Sequence, residues 1–96
     1  MANEIINIEE FARAGKGVPK GETYRIRIDK DNYEVSTSSV TGKEILSLAG
    51  KTPETYLLYL HINGGQTRAI KATDPVDLTE PGVERFSTMK IENTEG

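Results

Sequence analysis

The chain has 96 residues, 12 of them basic and 15 acidic, a net charge of −3 and no cysteine. That length holds one domain, and the missing cysteine excludes disulfides, zinc–thiolate sites and thiol chemistry by the chain itself. The mild negative charge argues against a nucleic-acid binder working through a basic surface, and no apolar run approaches the roughly 18 residues of a membrane-spanning helix.

Other classes are narrowed by single residues. One histidine, His61, cannot build a multi-histidine metal site, and no obvious nucleophile adjoins it in the sequence. No cofactor or metal is expected, and neither is an enclosed enzyme site. The N-terminus lacks the basic start and apolar stretch of a signal peptide, which together with the absent cysteine leads to a cytoplasmic expectation.

Residues 1–21 read as a flexible N-terminal arm. It carries one short helical signal, in which Asn7 caps Ile8 to Ala14 and Gly15 stops it. Glu9 and Glu10 sit in the first turn and Arg13 in the last, as the helix dipole prefers. Gly15-Lys16-Gly17-Val18-Pro19-Lys20-Gly21 is a linker by composition.

The folded domain is expected over residues 22–91. Tyr24, Ile26 and Ile28 alternate with Arg25 and Arg27, the period-two pattern of a half-buried strand. Asp29 to Asn32 is a turn by chemistry, and Tyr33 and Val35 continue as the second strand of a hairpin. Asp29, Asp31 and Asn32 lack the spacing and terminal Glu of a calcium loop and read as solvated turn residues. Ser36 to Ser39 reads as a loop. Thr41 and Glu44 then form a capping box, and Val40 and Ile45 a hydrophobic staple. The helix ends at Gly50. Ile45, Leu48 and Ala49 are expected on its buried face, with Leu46 beside them.

Pro53 prevents continuation. Tyr56 to Ile62 is apolar at nearly every position and suits a central strand. Asn63-Gly64-Gly65 is a hairpin turn, and Gln66 to Lys71 reads as an edge strand. Asp74 to Leu78 reads as a turn and a short helical piece with Leu78 inward. Val83 to Ile91 is the last strand, and residues 92–96 form a flexible C-terminal tail. The elements run hairpin, helix, hairpin, short helical turn, strand. A right-handed crossover brings the last strand beside the first in parallel. The fold expected is α+β, the ubiquitin-like β-grasp, with a mixed sheet of four to five strands packed on one helix.

Tyr24-Arg25-Ile26-Arg27-Ile28-Asp29, Tyr33-Glu34-Val35, Thr41-Gly42-Lys43-Glu44-Ile45-Leu46 with Ala49-Gly50, Val76-Asp77-Leu78 and Pro81-Gly82-Val83-Glu84-Arg85-Phe86 together resemble the bacterial multiubiquitin domain family. The resemblance covers about residues 22–88. It implies a ubiquitin-like modifier joined through its C-terminal carboxylate. It also implies activating and conjugating enzymes and a deconjugating metalloprotease as partners, and transfer to a target or to another copy of the chain. Gly96 is then the conjugation residue, because a terminus without a side chain can thread to a nucleotide. The chain departs from the family pattern in carrying a single copy and from eukaryotic modifiers in ending Glu95-Gly96, with one glycine.

A second candidate site lies on the sheet face away from the helix. Leu57, Tyr59 and His61 share one face of their strand, and Met89 and Ile91 share one face of the last. An exposed apolar patch there marks partner binding, unless the arm folds back to cover it through Ile5, Ile6, Ile8 or Phe11. A non-conjugated β-grasp interaction module and a thiocarboxylate sulfur carrier are the alternative functions.

Overall fold

A computed structural model describes residues 5–21 and 23–91 of the chain. The strands are β1 (Ile5–Asn7), β2 (Thr23–Ile28), β3 (Asp31–Val35), β4 (Ser39–Thr41), β5 (Tyr56–Ile62), β6 (Gln66–Ile70), β7 (Pro75–Asp77) and β8 (Val83–Lys90). The helices are α1 (Ile8–Arg13) and α2 (Gly42–Leu48). The architecture is α+β. A mixed sheet of six strands runs β1-β2-β8-β5-β6, with β3 also paired to β2, and β4 with β7 forms a separate antiparallel ribbon. Among the described residues the sheet therefore has one strand more than expected, and there are two helices instead of one.

The extra strand and helix come from the N-terminal segment. A strand has two edges, and β3 occupies one edge of β2 from Tyr24 to Ile28. On the other edge β8 pairs with β2 in parallel at Ile28–Phe86 alone, while β1 pairs in parallel with Thr23 to Arg25. Helix α1 follows β1 directly and packs against β2 and β8, filling the gap where those strands diverge. Residues 5–13, expected in a flexible arm, are thus built into the sheet and the core. The physical reason is the burial of Ile6, Ile8 and Ala12. A six-residue helix is unstable alone but holds when tertiary packing supplies its apolar contacts. Val18, within the glycine-rich stretch, is also buried. The cap is the one read from the sequence, with the Asn7 side chain accepting from the Glu9 N–H at 3.1 Å.

Helix α2 starts as its sequence dictates. Thr41 Oγ1 accepts from the Glu44 N–H at 3.2 Å, and the Glu44 carboxylate accepts from the Thr41 N–H at 2.8 Å. Its buried face is Gly42, Ile45 and Leu46, with Ala49 half-buried and Leu48 exposed. Leu48 was expected inside. The helix is rotated because its first turn is pinned to the segment after β6. Gly42 N–H donates to the Asp74 carbonyl at 3.1 Å, and Lys43 N–H to the Ala72 carbonyl at 2.9 Å. Spacing i, i+3, i+4, i+7 from Gly42 selects the observed face.

Asp74 to Leu78 is not helical. Pro75–Asp77 is extended and pairs with Ser39–Thr41, so Ser39, the last residue of the expected serine-rich loop, enters a strand while Ser36 to Ser38 stay in the loop. Val40 and Val76 face each other across this ribbon and are buried, and Leu78 is fully buried behind them. The core is completed by Tyr24, Ile26, Ile28, Leu58, Leu60 and Phe86, the inward set that the strand alternation defines, and by Val83, which a register shift in β8 brings inward out of phase with Phe86.

Candidate functional site

Strands β5 and β8 are antiparallel, so directly opposed residues share a face. Leu58–Thr88 and Leu60–Phe86 are the inward pairs, with Leu58, Leu60 and Phe86 buried. The outward pairs are Leu57–Met89, Tyr59–Ser87 and His61–Arg85. This places all the expected patch residues on or at the end of two neighbouring strands. Leu57 and Met89 stand opposite each other at 43% and 57% exposure, which makes them an open apolar pair on the surface. Ile91 lies just past β8 at 38% exposure, and its N–H donates to the Thr55 carbonyl at 2.8 Å. Tyr59 and His61 are half-buried. Among the described residues, Ile6 and Ile8 of the N-terminal segment go to the core, and Leu57 and Met89 remain open. Beside the patch, where β6 stops at Ile70, is a hollow of about 270 Å³ bordered by Pro53, Tyr56, Leu57, Tyr59, Ala69 and Lys71.

The other end of this face is charged. A bulge between His61 and Ile62 shifts the β5–β8 register. Glu84, left without a register partner there, accepts from Arg13 Nε of α1 at 3.2 Å. Glu9 pairs with Arg13 at 2.8 Å and with Arg27 of β2 at 3.1 Å. These ion pairs tie the polar side of α1 to the sheet while its apolar side enters the core.

Between the apolar and charged ends sits a pair that sequence reading missed. His61 Nε2 and Ser87 Oγ are 2.7 Å apart. The two are 26 positions apart in the chain, and only the β5–β8 register brings them together. Burial, with the cationic neighbours Arg85 and Arg27, pushes the His61 pKa below its ordinary 6.5, and Glu84 offsets part of that. The net direction favours the neutral imidazole.

The root of the C-terminal segment is held by a residue read as solvated. Asp29 has a positive φ of 56°, which a short polar residue tolerates. Its carboxylate accepts from the Thr88 N–H at 2.8 Å, the Thr88 hydroxyl at 2.6 Å and Lys51 Nζ at 3.2 Å. Lys51 in turn lies 5.0 Å from the Tyr56 ring centroid, within cation–π range. Burial alone would raise the Asp29 pKa, but the Thr88 and Lys51 contacts outweigh it and the net direction is downward. The stability this latch contributes is present in full above the ordinary carboxylate value of 3.8 and is lost as pH falls through the lower folded-state value. Asp29→Asn keeps the backbone conformation and loses the charge. It is expected to cost about 1–2 kcal/mol at pH 7, allowing for partial exposure. Urea unfolding across pH 2–7 should show the gap to the parent chain closing below pH 4.

Gly96, the expected conjugation residue, lies outside the described residues. Among the described residues no three His, Cys, Asp or Glu side chains gather to hold a metal ion, and no helix is long and apolar enough to cross a membrane. A family profile described as multiubiquitin matches residues 24–91. No curated protein matches, and no solved structure does.

Proposed function

The chain belongs to the multiubiquitin family, and from that premise we propose that it is a ubiquitin-like protein modifier of β-grasp architecture, activated at Gly96. The observation that carries this reading is the extent of the match. It runs from the first residues of β2 to Ile91 and leaves residues 92–96 beyond the domain. The fold supports it through the parallel placement of β2 and β8, the two flanking hairpins and the α2 crossover between them. The last strand is fastened on both sides, by Asp29 at Thr88 and by Thr55 at Ile91. A segment continuing past Ile91 starts from a rigid, solvent-facing root.

The chemistry belongs to the carboxylate and to partner enzymes. A C-terminal oxygen attacks the α-phosphorus of ATP and pyrophosphate leaves, which gives an acyl-adenylate. An enzyme cysteine displaces AMP to form a thioester, and an amine or hydroxyl on a target or a second copy of the chain takes the acyl group. The setting is a bacterial cytoplasm with activating-like and conjugating-like enzymes and a metalloprotease that reverses the bond. Mixing the chain with its cognate activating enzyme and ATP should give an adduct by intact mass. Deleting Gly96 should abolish the adduct and leave the thermal midpoint unchanged. An adduct that persists without Gly96, or none with the full chain, overturns the reading.

The open Leu57–Met89 pair favours a second reading, a non-conjugated module that docks through Leu57, Tyr59, His61, Met89 and Ile91. In that case Leu57→Ala or Tyr59→Ala abolishes partner capture and deletion of Gly96 changes nothing.

A further inference from the structure

We propose that Ser87 is an acyl acceptor, its hydroxyl activated by His61 on the open face of the sheet, for a short apolar acyl group delivered as a thioester or other activated ester. The proposal is independent of the modifier reading, since it uses neither the tail nor an activating enzyme.

The geometry is that of a nucleophile with its base. Ser87 Oγ is 2.7 Å from His61 Nε2, within the reach that proton abstraction needs. With the imidazole proton on Nδ1, the Ser87 hydroxyl donates to the Nε2 lone pair, which is the arrangement that precedes attack. A protonated imidazole would have no such lone pair, and the surroundings disfavour it. The charged groups facing His61 are Arg85 and Glu84 from β8 and Arg27 from β2, while β6 presents Thr67. Arg85 is two residues from Ser87 on the same face of β8 and directly opposite His61.

The neighbours select the acyl group. Tyr59 is directly opposite Ser87, and the next outward pair along the strands is Leu57–Met89. A short hydrocarbon chain leaving Ser87 Oγ along the sheet lies on those three side chains. Toward the other end it meets the charged cluster of Arg27, Glu9, Arg13 and Glu84.

The step balances without a redox partner. Oγ attacks the carbonyl carbon of the thioester and its proton passes to His61 Nε2. The carbon–sulfur bond then breaks, and the departing thiolate takes the proton from the imidazolium. The products are a Ser87 ester and a free thiol, and His61 is again neutral.

The test uses the whole chain with p-nitrophenyl butyrate and peptide mapping by mass spectrometry. Butyrylation is expected at Ser87, at a rate that falls with pH to half its plateau below 6.5. His61→Gln keeps a hydrogen-bonding side chain but no base and should label Ser87 about 100-fold more slowly. Ser87→Ala should abolish that adduct while leaving the circular dichroism unchanged. Labelling confined to lysines and the N-terminal amine overturns the proposal. So does Ser87 labelling at the parent rate in His61→Gln, or release of p-nitrophenol with no lasting Ser87 ester. The pH profile of the parent chain is a readout that needs no variant to fold.

Discussion

Ile8→Ala is expected to destabilise the protein by about 2–5 kcal/mol, the range for truncating a buried Ile to Ala. Ile8 has no exposed surface, and it is the first residue of a helix wedged between β2 and β8. Neither strand can close the gap, because they already meet only at Ile28–Phe86. For a domain of this size that cost lowers the thermal midpoint by roughly 10 °C or more. Ile5→Ala is the internal control. Ile5 is 42% exposed, so its truncation should stay within about 0.5 kcal/mol. Chemical unfolding of the two variants separates an integral N-terminal segment from a loose one. Equal, near-zero effects would mean that residues 5–13 do not belong to the folded unit.

Gly42→Ala has an unusual expected sign. At an open helical position the exchange stabilises, by up to about 1 kcal/mol. Here the added methyl would overlap the Lys71 carbonyl oxygen and lie 3.2 Å from the Ile70 side chain. The obstacle is backbone, and that backbone is held by the bonds of Gly42 to Asp74 and Lys43 to Ala72. Relief requires lifting α2 from the β6 exit, so the cost is about 3 kcal/mol, the upper end of ordinary overpacking. Differential scanning calorimetry would read it as a lowered midpoint. An unchanged or raised midpoint would show that the helix start has room.

Where the sequence was a good guide, the signal was local. The Thr41–Glu44 box, the Asn7 cap, the alternation of Tyr24 to Ile28 and the apolar run of Tyr56 to Ile62 each act within a few residues. Each appears at its expected place. Where the guide failed, the deciding contact came from far along the chain. Pro75–Asp77 resembles a turn until Ser39–Thr41 offers it a partner. The Ile8 segment is too short to hold by itself and becomes structure only because β2 and β8 leave a gap of its size. Leu48 belongs to an apolar stripe on paper, but the Gly42 contact turns the helix away from it. The candidate face divides in the same way. Leu57, Tyr59 and His61 share a face by alternation within one strand, whereas the His61–Ser87 contact depends on a register that no local pattern encodes.

The fastening of β8 also bears on how the molecule meets tension. Its backbone is joined to β5 at seven register positions, by bonds that run across the strand direction. A pull on the C-terminal end acts along that direction. The seven-position ladder and the Asp29 latch then share the load at once instead of opening one after another. The molecule therefore resists being unravelled from this end.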